Sequence, residues 1–447
     1  MDVFLGDIMK KIIIATILTL SLCVMSACGG NESSSLISQP SPSPSNNEST
    51  EPSVDSEFTV PTLQFADIYL DASAAQRLDT APLYFTEILG KRKRYEASLP
   101  VITGFQYPFI FYERMTAVVE GTTEEDPAMY IGRYSVETQE AREFPLDDFY
   151  AITDEARMVI DQNRSVYMYC TAGEDGNTIM KIVLFDFPNK IQKVIGVYPV
   201  YNVFGYAKKL SNDKLIFLLY ESVKSGTQQI LLLYDIQNDE IQEIYRGPDM
   251  GGYHTSSIST KDIWAINANN GNIDLLMQQF ENGTMHLFLR TIDTNGKTIY
   301  EAPLDNLSMY DSVKDTVDSL VTKDNYAFIH FSQFDKDENN SNPPSAILYR
   351  IGDVYQTVLT DAVSSMDTLC SDDSPNSPFL FFLSHRDDNT IYLFDTATNK
   401  EYIINLMFDA VQDVVADSYG NILIQTRSNE ESIWYLYQSE YIMTLIK

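Results

Sequence analysis

Basic residues are scarce in this sequence: 31 Lys and Arg stand against 63 Asp and Glu, which leaves a net charge of −32. Nucleic acid is excluded as a ligand, because phosphate binding needs clustered cations that displace counterions. Cysteine is scarcer still, with four in 447 residues, so no disulfide framework holds the fold together. Tryptophan occurs twice and histidine four times, and the chain has no Gly-x-Ser-x-Gly, phosphate loop, His-Glu-x-x-His or Cys-x-x-Cys motif. Past residue 30, no apolar run is long enough to cross a bilayer as a helix. What is there is a chain 44% hydrophobic and 12% aromatic, too apolar to be disordered throughout.

Residues 9–30 read MKKIIIATILTLSLCVMSACGG. A short basic patch (Lys10, Lys11), an apolar stretch from Ile12 to about Leu22 and a run of small residues make a secretory signal, the stretch being too short for a membrane span. Asp2 and Asp7 are foreign to the front of a signal, which makes Met9 the expected initiator. Met25-Ser26-Ala27-Cys28 resembles the lipobox of bacterial lipoproteins, with Met where Leu is usual. That resemblance implies that residues 1–27 are a lipoprotein signal peptide and that Cys28 carries acyl chains; more than one chain makes anchoring stable. Residues 28–57 continue as a Ser-, Pro-, Asn- and Glu-rich tether that nearly lacks large apolar side chains and buries no core. Its reach is roughly 30 Å as a flexible coil and about 90 Å when extended. The expected location is extracytoplasmic, at the membrane through the lipid anchor, in a Gram-positive-like envelope.

Past residue 58 about 390 residues remain without a second linker, more than one compact core normally serves. A repeat resolves this. MYIGRYSVET with QEAREF, IVLFDFPN with KIQKVIGV, and ILLLYDIQND with EIQEIYRG read as successive hairpins. HLFLRTIDTNG with KTIYEAPL, AILYRIGD with VYQTVLTD, IYLFDTATN with KEYIINLM, and IWYLYQS with EYIMTLIK continue the series. The position after each apolar run falls at Ser135, Asp186, Asp235, Thr291, Ile351, Asp395 and Tyr437, a spacing of about 50 residues. Earlier strands precede the hairpins at 214–222, 272–280, 325–334 and 378–386, and Asp417 to Asn421 is a compact turn between two more. A period of 40 to 50 with four short strands per unit resembles the β-propeller superfamily over residues 101–447. The resemblance implies an all-β fold of seven blades, with six or eight as the alternatives. Trp-Asp repeats, paired glycines and repeated Trp docking are missing, so it assigns no subfamily. Residues 58–100 fit the repeat poorly and are expected either to close the ring with a strand or to form a degenerate blade. Helical periodicity is scarce; its clearest instance is Asp71 to Leu78.

Cys170 and Cys370 are expected as two unpaired, buried thiols, since the repeat places them in separate units. His286 and His330 sit within strand patterns, His254 follows Gly-Gly-Tyr in a loop between repeats, and His385 falls in the segment 378–386. Carboxylates are too many to discriminate, although Asp147, Asp148, Asp154, Asp249, Asp262 and Asp311 fall at expected loops, where a glycosidase pair would stand. Asp335-Lys336-Asp337-Glu338-Asn339-Asn340 resembles the start of an EF-hand, but Asn340 and Ala346 replace its Gly and Glu, which weakens any calcium role. Lys91, Arg92, Lys93 and Arg94 form a candidate anion site in an otherwise acidic chain. Tyr107, Phe149, Tyr150, Tyr201, Tyr253, His254 and Tyr310 are loop candidates for a ligand or partner surface. The chain therefore reads as an anchored binding protein, with no catalytic residue assigned. An envelope protein is the expected partner; a glycan, bound or cleaved, is the alternative.

Overall fold

The computed structural model describes residues 64–78, 100–115, 129–146, 156–173, 176–223, 226–249, 261–281, 284–304, 315–333, 345–352, 354–360, 366–368, 379–384, 390–409, 411–417, 419–428 and 431–446. The chain divides into two units, Met1–Glu57 and Phe58–Lys447, and every described residue lies in the second. That unit is a β-propeller.

Its strands form antiparallel meanders, which we number as blades by residue range. Blade 1 spans 101–146, blade 2 spans 157–199, blade 3 spans 205–249, blade 4 spans 261–303, blade 5 spans 315–360, blade 6 spans 366–407 and blade 7 spans 411–437. One strand, Ile191–Ser211, is the outer strand of blade 2 and then the inner strand of blade 3. The N-terminal strands complete the last two sheets. Gln64–Asp71 adds in parallel to the outer strand of blade 6, and Gln76–Leu78 pairs with Trp434 to Leu436 as the outer strand of blade 7.

The alternation of each strand explains why the blades stack. In Lys214–Val223, Leu215, Phe217 and Leu219 pack in the cluster shared with blade 2, while Ile216 and Leu218 pack in the one shared with blade 4. Such a sheet is apolar on both faces and buries both only between neighbours. Among the described residues seven apolar clusters lie between successive blades, including one that joins Trp434 and Leu436 of blade 7 to Phe105 and Tyr134 of blade 1 and so closes the ring.

Four of the positions aligned in the sequence are turn caps. The Asp186, Asp235 and Asp395 carboxylates accept from the backbone N–H groups of Asn189, Asn238 and Ala397 at 3.1, 3.0 and 2.9 Å, and Ser135 Oγ accepts from Thr138 N at 3.2 Å. Four residues beyond each cap, Lys190, Asp239, Asn399 and Gln139 take positive φ between 54 and 58°. These Asx-type turns set the register of the outer strands.

Two local expectations are corrected. Asp71 to Leu78 is a turn and a strand, not a helix. Asp71 Oδ1 accepts from Ser73 N at 2.8 Å, a side-chain bond that competes with helix formation, and Gln76 to Leu78 join blade 7. The final segment EYIMTLIK is not a strand but lies in helix α1, Ser439–Ile446. Residues 76–78 already hold the edge it would join, and at helical spacing Ile442 is buried in the blade 6–7 cluster with Tyr441 and Ile446 against it. Cys170 is a free thiol in the blade 2–3 core, where burial pushes its pKa up to about 11, so it stays protonated and unreactive. Cys370 lies outside the described residues.

Candidate interaction face

In each antiparallel meander the connections from first to second strand and from third to fourth strand lie on one side, the turn face; blade 7, whose outer strand comes from the N-terminus, has only the first of the two. Side chains tie these turns together from blade to blade. At the closing seam, Asp417 of blade 7 accepts from Tyr107 N of blade 1 at 3.1 Å, and Gln162 Nε2 of blade 2 donates to Tyr107 O at 2.8 Å. Arg133 donates to Gln162 O at 2.7 Å and Asn163 Oδ1 at 3.0 Å, its guanidinium 4.0 Å from the centroid of the Phe109 ring. Arg164 reaches Asn212 O of blade 3 at 3.4 Å, and Lys193 pairs with Asp239. Asn269 and Asp324 exchange two bonds of 3.1 Å between blades 4 and 5, and Thr396 Oγ1 donates to Asp324 Oδ2 at 2.8 Å.

Asp417 is the most heavily used of these groups. Its oxygens accept from Tyr419 N at 3.0 Å, Asn421 N at 2.9 Å, Asn421 Nδ2 at 2.7 Å and Tyr107 N at 3.1 Å. Burial pushes its pKa up, and the four donors act against that shift. Its turn lifts Tyr419 into solvent, 61% exposed. Tyr107, across the seam and followed by a cis bond to Pro108, donates its hydroxyl to Glu137 Oε1 at 3.3 Å. The seam thus carries two aromatic side chains on a hydrogen-bonded base.

Tyr107 is the sequence candidate that the structure places on this face. Tyr201 falls in the strand joining blades 2 and 3, with its side chain outside the described residues. Phe149, Tyr150, Tyr253, His254 and Tyr310 also lie outside them, as do Cys28, Lys91 to Arg94 and Asp335 to Asn340. Asp262 is on the inner strand of blade 4, not in a loop, and Asp249 ends the outer strand of blade 3. His286 and His330 are in strands.

Buried charges that the sequence did not single out lie within the blades. Glu113 pairs with Arg157 across the blade 1–2 interface, near the 2.9 Å contact of Thr103 Oγ1 with the Tyr167 hydroxyl. On the other face of the same strand, Arg114 grips Glu143 through Nε and Nη2 at 2.6 and 2.5 Å, and the Tyr112 hydroxyl donates to Glu143 Oε1 at 2.6 Å. Asp274 is buried at the blade 4–5 interface, where burial raises its pKa against bonds from Thr291 and Asn269. Glu401 is buried at the blade 5–6 interface. Among the described residues no three His, Cys, Asp or Glu side chains gather as metal ligands, and no helix is long and apolar enough to cross a membrane.

No protein-family model matches the chain, and no curated protein does. Among solved structures it is similar to the β-propeller domain of the Trilobed protease from Pyrococcus furiosus, with 11% identity, a TM-score of 0.45, and coverage of 77% of this chain and 94% of that one. It is similar to an oligogalacturonate lyase in complex with manganese at 10% identity and TM-score 0.41, over 74% of this chain and 86% of that one. An α-L-arabinanase of Penicillium chrysogenum complexed with arabinobiose follows at 11% and 0.37, over 62% and 90%. These likenesses are of fold alone.

Proposed function

We propose that this protein is a lipid-anchored, extracytoplasmic binding protein whose seven-bladed propeller offers its turn face to another protein of the envelope. The observation that carries the reading is the blade-to-blade locking of the turns, centred on Asp417 and Tyr107. A face fixed before binding loses little conformational entropy when it binds. Aromatic side chains such as Tyr107 and Tyr419 are the type that anchors protein interfaces, and an acidic disc steers toward a basic partner. The signal-like start, the lipobox-like Cys28 and the polar tether supply the anchor.

Two experiments test this. The full chain, expressed with a fatty-acid label, is expected to carry the label in the membrane fraction, and Cys28→Ser to lose both label and membrane association; an unlabelled wild-type chain removes the anchor from the proposal. Binding to isolated envelope material is then measured before and after protease treatment of that material. Loss of binding on protease treatment, together with at least a tenfold weakening by Tyr419→Ala, is the expected result. Tyr419 is exposed, so its loss leaves the fold intact. Binding that survives protease replaces the protein partner with a glycan. Undiminished binding by Tyr419→Ala moves the contact off the turn face.

A further inference from the structure

Glu401 stands second in the outer strand of blade 6, Lys400–Met407. Tyr402, Ile404 and Leu406 of that strand pack toward blade 7. Glu401 has the opposite parity and enters the blade 5–6 interface, paired with Phe394 in the neighbouring strand. Around it lies the cluster of Tyr326, Phe328, Tyr392 and Phe394. It is 0% exposed, and neither carboxylate oxygen has a hydrogen bond of good geometry. A carboxylate in such a place is ordinarily met by a cation or by several donors.

Among the described residues no cation contributes here. The Tyr392 hydroxyl faces Glu401 from its own sheet, and Tyr326 faces it from blade 5 with Tyr349 packed behind, ring centroids 4.8 Å apart. The nearby acids are engaged in turns: Asp324 accepts from Thr396, and Asp395 caps its own turn. Lys323, at the end of the inner strand of blade 5, is buried with a partner of its own. Phe65 of the N-terminal strand is the backbone partner on the other side, with Asp67 two residues on and exposed. Burial pushes the Glu401 carboxyl up to about 7, and Tyr392 opposes that shift.

The same interface is wired to the turn face and to the N-terminal strand. Tyr326 donates its hydroxyl to Asn399 Oδ1, and Asn399 O accepts from Gln64 N at 3.4 Å, where that strand begins. We propose that Glu401 is a proton-operated latch between blades 5 and 6: protonated, it seats the two blades and the strand Gln64–Asp71; ionised, it draws water and loosens both. The proton leaves to solvent, and no other group changes its bonding. The inference stands independently of the binding reading.

Hydrogen–deuterium exchange of the full chain at pH 6 and pH 8, corrected for intrinsic rates, tests the latch. Peptides covering 64–71 and 390–407 are expected to lose about tenfold in protection between the two pH values. That factor follows for a carboxyl that titrates near 7 when closed and at the ordinary 4.5 when open. Peptides from 214–235 in blade 3 are expected to stay level, and Glu401→Gln to abolish the loss. An equal loss in Glu401→Gln, or none beyond blade 3 in the wild type, overturns the proposal. Infrared spectra of the wild type add a readout that needs no variant: a protonated-carboxyl band present at pH 6 and gone by pH 8. Absence of that band at pH 6 overturns the proposal as well.

Discussion

Blade 1 and blade 6 bury carboxylates in opposite ways. In blade 1, successive residues Glu113 and Arg114 point to opposite neighbours and each finds a counter-charge: Arg157 for the first, Glu143 for the second. In blade 6, Glu401 is more deeply buried than Glu113, 0% against 7% exposed, yet it lies among tyrosine and phenylalanine rings with no cation among the described residues. A paired acid stays ionised and makes its interface insensitive to pH near neutrality. A lone buried acid takes up a proton and makes its interface respond to pH. Two acids in the same kind of sheet thus give one interface that is fixed and one that is conditional, and the difference lies in the neighbouring blade.

The comparison breaks most directly at Arg157. Arg157→Met leaves Glu113 buried without its counter-ion and is expected to cost about 3 to 5 kcal/mol in urea unfolding. Adding Glu113→Gln is expected to return most of that loss, and a loss under about 1 kcal/mol would mean that the pair is not what holds blades 1 and 2. Next is Leu70→Ala, which removes a fully buried side chain from the blade 6–7 face of the N-terminal strand and is expected to cost about 3 kcal/mol at every pH. Glu401→Gln has the opposite sign. Between 4.5 and 7 the folded state keeps the Glu401 proton while the unfolded state releases it, so wild-type stability falls as pH rises through this window and is level above it. The variant is expected to match the wild type below pH 4.5 and to exceed it by about 3 kcal/mol at pH 8. A constant difference across that range would mean that Glu401 does not titrate near neutrality.

The repeat was legible because its parts are local. A run such as ILLLYDIQND with EIQEIYRG contains two strands, the capping Asp235 and the positive-φ residue Asp239, all within one hairpin. Six of the seven hairpins were visible for this reason. The last was not, because its outer strand comes from Gln76–Leu78, more than 350 residues earlier, which leaves the C-terminus to form helix α1. The candidate face was legible only at Tyr107 and in the Asp417 turn. What joins them is a backbone N–H, which carries no residue signature. Glu401 in KEYIINLM reads as a solvent-facing alternate of an ordinary strand. Its burial depends on Tyr326, which lies far away in sequence but is bonded to the neighbouring Asn399.

The smallest effect is the most discriminating. A hydrogen bond to the charged form of an acid lowers its pKa, and a bond to the neutral form raises it. The Tyr392 hydroxyl opposes the upward shift of Glu401, as a donor facing the ionised carboxylate does. Tyr392→Phe keeps the ring that fills the cluster and removes the donor. The midpoint of the pH-dependent exchange in peptides 64–71 and 390–407 is expected to move up by roughly half a unit to one unit, with protection at pH 6 unchanged. A downward move would mean that Tyr392 accepts from the protonated acid, so that the closed state owes its stability to that bond as well as to the absence of charge. An unmoved midpoint would leave burial as the sole cause of the shift, and the contrast with blade 1 would then rest on the missing cation alone.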